Sequence, residues 1–323
     1  MSNIVNEVWY DNFMQTLYEK YPKRSQLLRA LMDILHQERE TVYRRLRQDV
    51  NFSIHEIANI ASAWNISLDK MIGINTGEVS FQMRKMNYID PSEEESLFLQ
   101  KVIQGINYMG NFPEAELMDI CNKLPRQLIA GFDFLNQYYL FKWMYQYGNE
   151  NEVVPFSQTI VSNEKSQLTA DYYKAIKQVP TSNFILDRFI FEYLINDILY
   201  FHSIYLITDD EKALIKKDLN ALLDYMFEVA YKGCYPETQN KVNLYISQIS
   251  IDTNYSYVFA PDANICFIHV FEKFEIYTFN QEMVKNFINW MQLKKRTSVQ
   301  ISEVDEKSRI EFFTRQRQLL DKL

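Results

Sequence analysis

Along most of this chain apolar residues recur at steps of three and four, and only near the C-terminal third do they alternate. Val5, Val8, Trp9, Phe13, Leu17 and Tyr18 fall on one face of a helix over residues 2–20. Pro22 opens a second helix through Leu27, Leu28, Leu31, Met32 and Leu35, because its missing N–H is no loss in a first turn. The polar break His36-Gln37-Glu38 leads into a third helix, Arg39 to Gln48. Ser53-Ile54-His55-Glu56 has the capping-box form and starts a fourth helix through Ile57, Ile60, Ala61 and Trp64. Ser67 caps a short fifth helix, Leu68 to Ile72, which Gly73 ends.

Residues 74–91 change character and are read as an extended connector at a domain boundary. Beyond them the pattern predicts helices from Ser92 to about Met109, from Pro113, and from Arg126 to Tyr147. A loop over 148–158 follows, and then helices over 163–178, 182–206 and 209–232. The apolar stretch Phe184 to Ile207 is broken by Asp187, Arg188, Glu192, Asp197 and His202. It reads as a buried core helix, since a membrane span needs about 20 nearly uncharged residues. After Gly233 the pattern switches to short β-branched and aromatic runs: Val242–Ile251, Tyr255–Phe259, Ile265–Phe271 and Ile276–Phe279. A small antiparallel sheet of three or four strands is expected there, followed by helices over about 281–296 and 304–322. One of those two helices should cover the sheet.

Composition narrows the classes. Seven glycines in 323 residues is about a third of normal usage, which counts against an all-β sandwich and a doubly wound nucleotide fold. Neither a G-x-G-x-x-G nor a Walker A pattern occurs. Three cysteines make no disulfide framework. The four histidines and three cysteines never stand at metal-ligand spacing, and Cys266 and His269 should lie on opposite faces of a strand. Glu93-Glu94-Glu95 reads as dipole partners in a first helical turn. No cofactor, metal or catalytic role is expected, and the start of the chain has no targeting signature, so a cytoplasmic location is expected. Net charge is −8, but unevenly spread. Lys20 to Ile72 carries nine Lys/Arg against six Asp/Glu, while the remainder is acidic by 11 charges. A basic N-terminal module on an acidic body is the first functional hint.

The informative segment runs from Leu27 to Arg47. An apolar helix, a three-residue break and a short helix with four arginines give a helix-turn-helix layout. Val42 and Leu46, four apart, point inward. Arg39, Glu40, Tyr43, Arg44 and Arg47 form the opposite face. A DNA major groove admits one helix, and arginine can donate two hydrogen bonds to a guanine edge. Arg45 stands beside the buried stripe, where it lays its stem on the core or reaches a phosphate, and it is counted among the DNA-facing residues.

The run Thr-Val-Tyr-Arg-Arg-Leu-Arg, with Phe52 to Ile60 and Trp64-Asn65-Ile66-Ser67-Leu68-Asp69, resembles the Cro/repressor-type helix-turn-helix domain. The resemblance covers residues 20–73, and the whole chain also looks like bacterial transcriptional regulators that join this domain to a long mixed C-terminal region. It implies DNA-facing residues at Arg39, Glu40, Tyr43, Arg44 and Arg47, with Val42 at the buried aliphatic position. The chain departs from that pattern at Met32, where a small residue is usual, and at His36, where glycine is usual. Histidine tolerates a positive φ less readily than glycine.

The expected architecture is therefore mainly α. A helix-turn-helix bundle over 1–75 and a connector over 76–91 precede a larger helical region over 92–323 with a small C-terminal antiparallel sheet, making α+β. The expected function is sequence-specific binding of double-stranded DNA by a homodimer, through a recognition helix at about 39–48. Two alternatives stand beside it: a regulator gated by a small-molecule or peptide effector, and a helical interaction or scaffold protein that binds no DNA.

Overall fold

The computed structural model describes residues 4–21, 23–64, 66, 68, 81–83, 92–148, 153–261, 263–270 and 274–323. The chain divides into two compact units, Met1–Glu78 and Val79–Leu323. The first holds α1 (Ile4–Lys20), α2 (Arg24–Leu35), α3 (Arg39–Leu46) and α4 (Ile54–Trp64). Phe13, Leu17, Leu27, Leu31, Val42, Leu46, Phe52 and Ile60 close one core among them. Two tyrosines tie α1 to the rest. The Tyr10 hydroxyl accepts the Phe52 N–H at 2.8 Å, and the Tyr18 hydroxyl donates to the Leu46 carbonyl at 2.8 Å.

The second unit is built on one mixed sheet of eight strands. They are β1 (Gln82–Met83), β2 (Glu116–Cys121), β3 (Thr181–Asp187), β4 (Lys241–Ser247), β5 (Tyr255–Ala260), β6 (Ala263–Val270), β7 (Phe274–Thr278) and β8 (Ser298–Gln300), in the order β1-β7-β6-β5-β2-β3-β4-β8. The three strands β2, β3 and β4 run parallel, and all other neighbours are antiparallel. Helices fill the crossovers that parallel pairing demands. Between β2 and β3 lie α6 (Arg126–Ile129), α7 (Asp133–Tyr147) and α8 (Asn163–Ile176), and between β3 and β4 lie α9 (Ile190–Ser203) and α10 (Asp209–Lys232). The remaining helices are α5 (Ser92–Met109), α11 (Gln281–Lys294) and α12 (Glu306–Leu320).

Alternation in the strands assigns the two faces. Phe184, Leu186, Val242, Leu244 and Ile246 share a core with α7, α9, α10 and α12. On the opposite face, Met118, Ile120, Ile185, Tyr257 and Cys266 meet Val284, Phe287 and Met291 of α11. Of the two closing helices, α11 is thus the sheet cover, and α12 joins the larger core through Phe313 and Leu320. A third cluster joins α5 and α8 to Leu117 and Ala260 at the antiparallel half. Among the described residues no helix is long and apolar enough to cross a membrane.

The expected small C-terminal antiparallel sheet is corrected by this topology. The strands read over 241–280 form one part of a sheet that also recruits β1, β2, β3 and β8. Residues from Pro113, expected to be helical, contain β2. The single helix expected over 182–206 is a strand followed by a helix. Helices remain the commonest element, yet the sheet organises the whole second unit. Several other expectations fall largely outside the described residues: Pro22 as a helix start, the helix after Ser67 beyond Leu68, and the side chains of Glu93, Glu94 and Glu95. Of the connector only 81–83 are described, and there Gln82 and Met83 pair with Tyr277 and Ile276 as the sheet's edge strand.

Candidate functional site

The sequence-derived site begins where α2 stops. His36 takes the left-handed conformation (φ 50°, ψ 41°) that ends a helix, at the position where glycine is the usual occupant. Glu38 is extended, and α3 starts at Arg39. Buried Val42 and Leu46 then orient the helix. Arg39, Glu40, Tyr43, Arg44 and Arg47 are brought together on its exposed side. The Arg47 guanidinium lies 5.8 Å from the Tyr43 ring centre and 3.5 Å from the Asp49 carboxylate. Among the described residues Arg39 and Arg44 have no ion-pair partner, so their donors face solvent.

Arg45 is a correction. Its side chain is 18% exposed and turned inward, 3.3 Å from Glu56 Oε1, with a second nitrogen donating to the Asn51 carbonyl. It fastens the end of α3 to the start of α4 and does not join the exposed row. Glu56 is the hub of that joint. It accepts the Ser53 N–H, returns its own N–H to the Ser53 hydroxyl at 3.3 Å, and accepts Gln37 Nε2 at 2.9 Å. The capping box therefore also anchors the turn between α2 and α3. Burial works against the Glu56 charge, but the Ser53, Gln37 and Arg45 contacts outweigh it and hold the carboxyl below its ordinary value.

A depressed carboxyl stabilises the fold at pH above its unfolded value, and that contribution fades as pH falls through the folded one. Glu56→Gln is expected to destabilise α2–α4 by about 2–3 kcal/mol at pH 7, below the full cost of breaking a buried pair because Arg45 keeps some solvent. The penalty should shrink below about pH 4. Amide hydrogen exchange over residues 24–64 measures it, and equal protection in both proteins at pH 7 would show that the hub is not structural.

A second polar site has no signature in the linear sequence. Asp119 of β2, Ser256 of β5, His269 of β6 and Glu275 of β7 form a row across four adjacent strands on one sheet face. The register places Asp119 opposite Ser256 and His269 opposite Glu275. The Ser256 hydroxyl donates to Asp119 Oδ1 and lies 3.1 Å from His269 Nε2, and His269 Nδ1 is 3.6 Å from Glu275 Oε1. The row lies in the wall of a cavity of about 930 Å³, enclosed by α5, α6, α7, α8 and the antiparallel half of the sheet. Asp119 is 1% exposed, and among the described residues its Oδ2 has no hydrogen-bond partner. Burial raises its carboxyl, Ser256 opposes, and the Glu275 charge adds to the rise, leaving it pushed up to about 7. Burial lowers the His269 imidazole despite the pull of Glu275, which favours the neutral ring.

Sequence spacing relates His269 only to Cys266, and the two do lie on opposite faces: Cys266 in the core under α11, His269 on the cavity. Among the described residues no group of three or more His, Cys, Asp and Glu could hold a metal ion. Compared with protein-family models, curated proteins and solved structures, the chain matches none.

Proposed function

We propose that the protein is a DNA-binding transcriptional regulator of the helix-turn-helix type that reads DNA with the exposed face of α3. The observation that carries this reading is the row Arg39, Tyr43, Arg44 and Arg47 on a short helix whose opposite stripe, Val42 and Leu46, is locked into the core. A helix held that way presents its donors as a rigid unit, which is what bidentate reading of a base edge requires. Unpaired arginines on a solvated surface also supply the phosphate attraction that makes binding salt-dependent. Repressor-type domains read half-sites in pairs, so the acting species is a homodimer. Exposed tyrosines at 145, 193, 200 and 205 on and beside α7 and α9 support self-association, since tyrosine is enriched where chains meet.

The test is selection of a preferred duplex from a random library, followed by titration of the full chain against it at several salt concentrations. Two chains per duplex and an affinity falling steeply with salt are expected. Arg44→Ala should weaken binding by about 1–3 kcal/mol, five- to 150-fold, with the α2–α4 amide protection unchanged. A helical interaction protein with a merely solvated arginine face predicts no selected sequence. Unaltered affinity in Arg44→Ala would remove α3 as the reading helix.

A further inference from the structure

The cavity of the second unit is large and walled mainly by apolar side chains, with the row Asp119, Ser256, His269 and Glu275 among its polar groups. Its volume of about 930 Å³ lies at the upper end of the range of small-molecule sites. Leu99, Val102 and Ile106 of α5 and Leu168 and Ile176 of α8 supply an apolar wall facing the sheet. At the sheet, two carboxyl groups flank a hydroxyl and an imidazole. Among the described residues no lysine or arginine pairs with Asp119 or Glu275. A buried carboxyl with one oxygen unpartnered is costly, and such groups persist where something else completes them.

We propose that this cavity binds a small amphiphile with a cationic amine head, the ammonium seated against the row Asp119, Ser256, His269 and Glu275 and the hydrocarbon body lying along α5 and α8. An ammonium brings three donors and no acceptor, which suits a row that ends in a carboxyl group at each side. Its charge also relieves the repulsion between the two acids. The cations that line the cavity do not fill this role. Arg126 is exposed and lies 5.3 Å from the Tyr172 ring centre, and Lys123 and Lys165 have interactions of their own. The inference stands apart from the reading of α3 and does not need DNA binding to be true.

The groups facing Asp119 limit which titration matters. Burial pushes Cys121 and Tyr172 up and disfavours the charged form of His269, while the Asp119 carboxyl, pushed up to about 7, changes its charge near neutral pH. Glu275, Asp252, Lys123, Lys165 and Arg126 complete the charged set among the described residues. With Asp119 at about 7, the share ready to take an ammonium rises about tenfold from pH 6 to pH 8.

The experiment is calorimetric titration of the full chain with decylamine, decanol and decanoate below their micellar concentrations. Decylamine should bind at least tenfold tighter than either isostere at pH 8 and about tenfold more weakly at pH 6. Asp119→Asn, which keeps the shape, should bring the three affinities within threefold of one another. Leu168→Trp, which fills the apolar wall, should weaken all three. Decanoate binding best would assign the cavity to anions at Lys123, Arg126 and Lys165 and overturn the proposal. So would an amine preference that survives Asp119→Asn, or an absence of binding by all three probes.

Discussion

Val42→Asp is expected to unfold the N-terminal unit and leave the sheet-based unit folded. Val42 has no exposed surface and packs in the core that joins α1 to α4. A carboxylate at that point finds no partner, and an uncompensated buried charge costs several kcal/mol. A helical unit of this size rarely has more than about 3–5 kcal/mol in reserve. The substitution therefore removes about all of it. Hydrogen exchange reads both halves of the claim at once: protection should vanish over residues 4–64 and persist over 92–320. The contrast with Arg44→Ala is the informative one. One residue faces the core, the other faces solvent two positions away on the same helix. If Val42→Asp retained protection, α3 would not be docked as described, and the orientation of its arginine face would lose its basis.

Asp119→Asn is expected to stabilise the second unit at pH 8 by about 2 kcal/mol. The sign follows from the raised carboxyl. In the unfolded chain it releases its proton near its ordinary value of 3.8, and in the folded chain only at about 7. Stability contributed by the bound proton is full below about pH 4 and is lost as pH climbs to about 7. A rise from 3.8 to about 7 is worth about 4 kcal/mol at most. The asparagine leaves an amide without a partner in the cavity, which returns part of the gain. Urea midpoints at pH 4.5, 6 and 8 check this. The gap between the variant and the parent should open with rising pH, and coincident midpoints at pH 8 would show that Asp119 is not held against its charge. A residue that weakens its own fold while facing a cavity is a mark of a site built for binding.

The parts of the fold that were legible in the sequence are those with one wet side. α2, α3 and α4 each show an apolar stripe against polar positions, and the capping box at Ser53 marks where α4 begins. The turn at His36 was legible too, from its place between two such stripes. β4 alternates Val242, Leu244 and Ile246 against Asn243 and Tyr245, and so announced itself. β2 and β3 did not. Glu116–Cys121 and Thr181–Asp187 are buried on both faces after their first residue, so no alternation is left to see. A short run such as Leu-Met-Asp-Ile-Cys then looks the same as a turn of buried helix. In β3 the ambiguity is worse, because only two residues separate the end of the strand from the start of α9.

The exposed face of α3 was readable because one helix carries all of it, at steps of one, three and four. Arg45 misled because a residue at the border of two faces is decided by its partner, and Glu56 lies eleven residues on. The row from Asp119 to Glu275 was not readable at all. Its members come from four strands, and their meeting depends on β5 lying beside β2 and not beside β4, its predecessor in sequence.

That strand order also governs how the chain can mature during synthesis. Among the described residues, those up to Leu68 contain every partner of this core, so the unit can close soon after it leaves the ribosome. The sheet cannot. β2 must wait for β5 before its second edge is covered, β1 must wait for β7, and β4 must wait for β8. Throughout that interval Leu117, Met118 and Ile120 belong to an open strand edge, the kind of surface that invites pairing with another chain. α12, made after every strand of the sheet, contributes Phe312, Phe313, Leu319 and Leu320 to the largest core. Closure of the second unit thus waits for α12, and the N-terminal unit can be finished for most of the time the larger unit is still being assembled.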